Sequence, residues 1–209
     1  MLINSRWIIT AAHCVVGKTP SDIRVILGLN NLNSAWFFSR KISNIIKNPD
    51  YVGPPRHQND IALLKLSENL PTSDLYPVCL PSSQVTRFSN LFATGWGAVK
   101  DGQAGSIEMN VVDVDQKDDY CSKTYGRWLF NSSIQICANA FSKDVCDGDS
   151  GGALFSYSSS RAHGVGIVSW GIICGNEKYP SVFTRITAYL RWIYAYANTD
   201  AIWCDHPQH

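Results

Sequence analysis

The alternation of apolar and polar positions divides most of the chain into short strands separated by turn residues. Leu2 to Thr10 forms the first apolar stretch and runs into a short turn that presents His13. Ile23 to Leu27 ends at Gly28, and Ile42 to Lys47 ends at Asn48-Pro49-Asp50; both have the composition of strands. Gly53-Pro54-Pro55 predicts a stiff, non-helical loop, after which Asp60 is followed at once by Ile61, Leu63, Leu64 and Leu66. Asn69 to Ser83, with Pro71, Pro77 and Pro81, reads as a linker between two halves. Phe92 to Ala98 opens the second half, Lys100 to Ile107 is a loop, and Ala162 to Ser169 is a further strand. The acidic run Asp113 to Tyr120 reads as the solvated start of a helix rather than a metal site. Near the end the period changes. Ile186, Tyr189, Leu190, Ile193 and Ala197 fall on one helical face, which predicts a closing helix followed by a tail.

The 209 residues suffice for one large all-β domain or two small ones with a buried core. A net charge of +1 with scattered basic residues excludes a nucleic-acid footprint, and no apolar run approaches the roughly 18 residues of a membrane helix. Seven cysteines point to an oxidising compartment, and Asn131-Ser132-Ser133 offers Asn131 as a glycosylation acceptor; both predict a secreted product. Leu29 to Ser39 contains no carboxylate, which argues against a calcium site there; Trp36, Phe37 and Phe38 read as core or hairpin packing.

The chemistry concentrates in Asp147-Gly148-Asp149-Ser150-Gly151-Gly152. Glycines around Ser150 clear space for an attacking hydroxyl and permit backbone angles that bring N–H groups to the attacked oxygen. A serine hydroxyl needs a general base, and the base needs an orienting carboxylate. Thr10-Ala11-Ala12-His13-Cys14 and Asn59-Asp60-Ile61-Ala62 supply both, in the order His, Asp, Ser. Asp60 stands where the chain turns inward, so it requires a donor such as the His13 imidazole N–H. His57 lies between Arg56 and Gln58 in the proline-rich loop and reads as a residue of the cleft rim at most, while His163, His206 and His209 have no supporting motif.

With Gly95-Trp96-Gly97 and Ser169-Trp170-Gly171 added, the chain resembles the trypsin/chymotrypsin family of serine endopeptidases from Met1 to about Asn198. That resemblance implies two six-stranded antiparallel β-barrels, the first incomplete at its N-terminus, with a C-terminal α-helix. Residues 1–70 would form the first barrel, 71–83 the linker, 84–185 the second barrel, 186–198 the helix and 199–209 a tail. It implies His13, Asp60 and Ser150 as a catalytic triad and the backbone N–H groups of Gly148 and Ser150 as an oxyanion hole, with no metal and no organic cofactor. A monomer acting on a protein or peptide substrate follows, subject to protein inhibitors and an activating protease.

The resemblance also assigns the specificity pocket. Asp144, six positions before Ser150, would be its floor and pair with a substrate arginine or lysine. Ser169, Trp170 and Gly171 would form one wall. The opposite wall departs from the family pattern at Pro180-Ser181-Val182-Phe183, where Ser181 replaces a glycine and would shallow the pocket. Asp147 replaces a neutral residue and would repel acidic substrate residues.

The implied disulfides are Cys121–Cys137 and Cys146–Cys174, while another family bridge is replaced by Leu91 and Ser156. Cys14 would pair upstream of position 1, and Cys79 either lacks its partner or pairs with Cys204. Met1 to Ser5 is no signal peptide; it reads as a family strand entered partway. The family's cleaved amino terminus would fold inward onto Asp149. Without that ammonium, Asp149 is expected either to be buried unpaired or to swing out and collapse the oxyanion hole. A catalytically silent or zymogen-like binding protein is therefore the alternative to an active endopeptidase.

Overall fold

The computed structural model describes residues 1–35, 37–71, 76–140, 145–158, 161–198 and 201–204. Ten strands carry the architecture: β1 Trp7–Thr10, β2 Arg24–Leu27, β3 Phe38–Lys47, β4 Ala62–Leu66, β5 Leu91–Gly95, β6 Asn110–Gln116, β7 Gln135–Asn139, β8 Ala153–Ser158, β9 Arg161–Trp170 and β10 Ser181–Arg185. Among the described residues three α-helices accompany them: α1 Asp118–Thr124, α2 Gly126–Leu129 and α3 Leu190–Ala197.

The first four strands form an antiparallel sheet in the order β1-β4-β3-β2. The other six close into a barrel in the order β10-β7-β6-β5-β8-β9. This is the all-β plan expected from the sequence, with the first unit curled and open. Full closure of the second leaves it no edge strands.

β4 is buried on both faces, because Ala62, Leu63, Leu64 and Leu66 alternate between two cores. One core contains Ile9, Ile61 and Leu63 together with Ile167 of β9 and Ile186 and Ile193 from the C-terminal segment. It therefore joins the two units. The second barrel encloses its own core of Leu91, Ile136, Leu154, Val165 and Phe183.

The closing helix is shorter than its apolar period suggests. Ile186–Tyr189 forms a 3-10 turn, and the α-helix proper begins at Leu190. Buried Leu190, Ile193 and Ala197 set its inward face, and Asn4 Nδ2 donates to the Ala197 carbonyl at 3.0 Å, satisfying one orphan acceptor at its end.

The acidic run 113–120 departs from expectation. Asp113 and Asp115 lie on β6, helix α1 starts only at Asp118, and the Asp118 side chain is mostly buried. Its Oδ2 accepts from Arg185 Nη2 at 2.5 Å and from Gln116 Nε2 at 2.7 Å, while Oδ1 accepts from Cys137 N–H at 2.8 Å. Arg185, with a side chain 5% exposed, also donates to the carbonyls of Thr86, Ser132 and Gln135. A buried guanidinium has five N–H donors to satisfy, and this arrangement uses its fork in several directions. Phe37 also differs from the packing expected of it, being half exposed, and Trp36 lies outside the described residues.

Cys121–Cys137 and Cys146–Cys174 are bridged, with Cα separations of 6.3 and 5.1 Å. Cys79 pairs with Cys204 across 125 positions, deciding between the two alternatives left by the sequence. Among the described residues Cys14 is free. Leu91 and Ser156 stand directly opposite each other in the β5–β8 ladder, where Ser156 Oγ donates to the Ser89 carbonyl at 2.9 Å.

Candidate active site

β1 and β4 are antiparallel neighbours whose last matched pair is Thr10 with Ala62. The chain just after β1 and just before β4 must therefore leave the sheet at the same end. That places His13, in the turn His13–Val15, beside Asp60. His13 Nδ1 and Asp60 Oδ2 are 2.7 Å apart, and His13 backbone N–H donates to Asp60 Oδ1 at 2.9 Å.

Asp60 is fully buried, so each of its oxygens needs donors. The second barrel supplies another: Ser169 Oγ, near the end of β9, donates to Asp60 Oδ2 at 2.6 Å. Thr184 Oγ1 of β10 donates to the Asp60 carbonyl at 2.7 Å. The carboxylate is thus clamped between the two units. The hydrogen bond to Asp60 raises the His13 pKa well above the ordinary imidazole value; the Cys14 sulfur adds to the rise, and burial opposes it.

Ser150 is exposed and sits in a turn whose amides divide into two groups. Asp149 N–H donates to the Cys146 carbonyl, Gly151 N–H to Val168, and Gly152 N–H to Asp149. The amides of Gly148 and Ser150 have no acceptor among the described residues. Gly148 takes φ +97°, and a Cβ there would lie 3.1 Å from Gly97 Cα, so both angle and space favour glycine.

Gly151 packs this turn against His13. A Cβ on it would fall 2.4 Å from Thr10 Oγ1 and 3.1 Å from Cys14 Sγ, and that sulfur lies 3.5 Å from His13 Nε2. No hydrogen bond joins Ser150 Oγ to His13 among the described residues; such contacts commonly tighten only with substrate bound.

These motifs and this two-part β fold accompany a match to the family model described as Trypsin over residues 1–193. The chain belongs to the trypsin family. Mouse (Mus musculus) transmembrane protease serine 11G is 39% identical over 202 residues, covering 92% of this chain and 47% of the relative. Trypsin-1 of Astacus astacus is 34% identical over 212 residues, covering 94% of this chain and 86% of the relative. Phenoloxidase-activating factor 1 of Holotrichia diomphalia is 33% identical over 219 residues, covering 92% and 59%. The chain spans about half the length of the transmembrane protease relatives it matches. Among the described residues no helix is long and apolar enough to cross a membrane.

In this trypsin-family chain Ser150, Asp147, Trp170, Gly171 and Ser181 line one pocket of about 90 Å³, together with Val145. Val145 is apolar and buried, a feature the sequence reading did not weigh. Ser181 is 3% exposed, and a Cβ on Gly171 would approach its Oγ to 3.2 Å, so serine occupies part of the space between the walls. Asp144 lies outside the described residues.

Asp149 narrows an expectation. Its carboxylate is not swung out, and backbone N–H groups rather than a cation meet it among the described residues: Oδ1 accepts from Gly97 N–H at 2.8 Å and Oδ2 from Cys146 N–H at 3.0 Å. Gly95 and Gly97 make room for it, since a Cβ on either would collide with the carboxylate. It borders a cavity of about 350 Å³ that Ala93, Thr94, Val112 and Val145 also line.

His57 is the residue whose position the sequence least revealed. Its Nδ1 lies 4.0 Å from Asp60 Oδ2, and its ring meets that of His13 edge-on, with centroids 5.7 Å apart. Burial lowers its pKa, the Asp60 charge opposes this, and His13 adds to it. His163 instead contacts Ser158 Oγ through Nδ1 at 3.2 Å, and His206 and His209 lie outside the described residues. Asn131 is exposed, with Oδ1 accepting from the Ser133 hydroxyl at 2.7 Å.

Proposed function

We propose that the chain carries the catalytic unit of a secreted serine endopeptidase that hydrolyses peptide bonds after arginine or lysine through an acyl-enzyme. The observation that carries this reading is the exposed Ser150 in a turn with two open amides, beside an already formed His13–Asp60 pair. Ser150 Oγ attacks the substrate carbonyl while neutral His13 takes its proton, then passes it to the leaving amine. Asp60 fixes the imidazole tautomer and stabilises the imidazolium, and Ser169 holds Asp60. The N–H groups of Gly148 and Ser150 receive the oxyanion. A water then attacks the acyl-enzyme by the same proton route in reverse.

Asp144 would bind the basic side chain by charge, with Ser169, Trp170 and Gly171 along one wall. Ser181 and Val145 narrow the passage and favour lysine's slim ammonium stem over the wider guanidinium fork. Asp147 is exposed at the rim and disfavours acidic neighbours of the cut bond. The cavity beside Asp149 suits an apolar chain start whose ammonium pairs with that carboxylate, which is how an activating protease would act on it. Three bridges and the exposed Asn131 sequon support an extracellular setting, where protein inhibitors are natural partners of a monomer.

The test is hydrolysis of matched peptide amides ending in Arg, Lys, Phe or Leu, with Ser150→Ala as control and Ser181→Gly as pocket probe. Cleavage after Lys and Arg that vanishes in the control, with the Arg share rising in Ser181→Gly, is the expected result. Cleavage only after Phe or Leu would overturn the pocket assignment. No cleavage by folded protein would support a non-catalytic role.

A further inference from the structure

The interior polar groups of a folded chain almost always find partners, so an orphan invites explanation. His57 Nδ1 is buried and has no hydrogen-bond partner among the described residues. Its ring is held by a backbone in the left-handed region, φ 42°, which a bulky side chain rarely adopts. His57 N–H donates to the Gly53 carbonyl at 3.2 Å, and Gln135 Nε2 reaches the His57 carbonyl at 3.5 Å, fixing the loop on both sides. The strained loop therefore aims an unsatisfied nitrogen at Asp60, 4.0 Å away.

We propose that His13, His57 and Asp60 form a reversible site for a divalent transition-metal ion, zinc by chemical class, whose occupancy takes His13 out of proton transfer. One ligand atom from each residue lies within 4.8 Å of the others. Two imidazoles and a carboxylate match zinc's preference, whereas calcium and magnesium want oxygen donors. Ligand distances of 2.0–2.2 Å put two donors of a tetrahedral ion roughly 3.4 Å apart. The present separations of 2.7 Å (His13 to Asp60) and 4.0 Å (His57 to Asp60) bracket that value, and all three ligand atoms lie within 4.8 Å of one another, so side-chain adjustments of about 1.4 Å or less assemble the site. One ring nitrogen of His13 gives its lone pair to the ion while the ring's single proton stays on, or shifts to, the other nitrogen; a protonated His13 releases one proton to solvent as it binds. No other group changes oxidation or covalent state.

The inhibitory half of this proposal rests on His13 acting as general base; the binding half does not. The two are separated by titrating the untagged full chain with zinc chloride in a calorimeter and, in parallel, following peptide hydrolysis. One zinc per chain is expected, with an inhibition constant equal to the binding constant, and no response to magnesium or calcium. His57→Gln should weaken zinc binding at least tenfold and relieve inhibition by the same factor, each protein measured against its own zinc-free rate. His163→Ala, whose ring contacts Ser158, should bind like the parent. Visible absorption of the cobalt(II)-loaded chain gives a second readout, with intense tetrahedral bands that His57→Gln abolishes. Absence of one-to-one binding, or binding undiminished in His57→Gln or lost equally in His163→Ala, overturns the site. His57-dependent binding in a chain that hydrolyses nothing would retain the site and overturn the protease reading instead.

Discussion

Removing the Asp118 carboxylate is a direct test of how the second barrel is locked. Asp118 and Arg185 are 67 positions apart, and their side chains are 17% and 5% exposed. In Asp118→Ala the guanidinium keeps three carbonyl acceptors but loses its counter-charge. The Cys137 amide loses its acceptor as well. Breaking one side of a buried pair costs about 3–5 kcal/mol. In a domain of this size each kcal/mol moves the melting temperature by about 2–4 °C, so a fall of roughly 6–20 °C is expected. The assay is urea unfolding with the disulfides intact, followed by thermal melting. Asp118→Asn keeps an acceptor but no charge and should lose about 1.5–3 kcal/mol. The double variant Asp118→Leu with Arg185→Met leaves no stranded charge and should be more stable than Asp118→Ala alone. The exposed pair Arg87–Asp119 at 3.8 Å is the internal control, and Arg87→Ala should melt with the parent. A loss under about 1 kcal/mol in Asp118→Ala, or strict additivity in the double variant, would refute the reasoning.

Three further outcomes are expected. Ser169→Ala removes the hydroxyl donor to Asp60 Oδ2, and losing a hydrogen bond to a charged group, about 1.5–3 kcal/mol, should lower kcat roughly 10- to 100-fold with KM little changed. The Cys14 sulfur is the second cause of the raised His13 pKa, so Cys14→Ala should move the acid limb of the kcat/KM profile to lower pH; a shift upward or none contradicts this. In Gly151→Ala the new methyl meets Thr10 Oγ1 at a φ of +76°, so stability should fall by about 1–3 kcal/mol in urea, together with kcat; unchanged unfolding would show that the turn does not seat there.

The three residues proposed as a triad stand out in the sequence because their signals are local, and the structure brings His13 and Asp60 together. A serine among glycines, a histidine after a strand and an aspartate ahead of an apolar run each announce themselves within a few residues. The closing helix was legible from its period, apart from a first turn wound as 3-10. The Asp118–Arg185 pair was not, since nothing near Asp118 names a guanidinium that the barrel brings to it. The Cys79 alternatives could not be resolved by spacing, because loop closure costs rise only slowly with length. His57 was read as a residue of the cleft rim at most; that its Nδ1 faces Asp60 depends on a left-handed backbone angle that a histidine in a proline-rich loop does not advertise. Asp149 was read as unpaired or swung out without an ammonium, because nothing in the local sequence shows that the N–H groups of Gly97 and Cys146 converge on its carboxylate.

The Cys79–Cys204 bridge also determines how the molecule carries mechanical load. Both ends of the second barrel are stapled at one point, so tension applied between Met1 and a handle beyond Cys204 bypasses the barrel. The 78 residues from Met1 to Val78 lie outside the bridge and can pay out, a contour of about 270 Å at about 3.5 Å per residue. The segment closed by the bridge, about 440 Å over 125 positions, stays locked away until a reductant opens the sulfur bond. Under such a pull the open sheet that holds His13 and Asp60 would therefore act as the fuse, and the closed barrel behind it would remain intact.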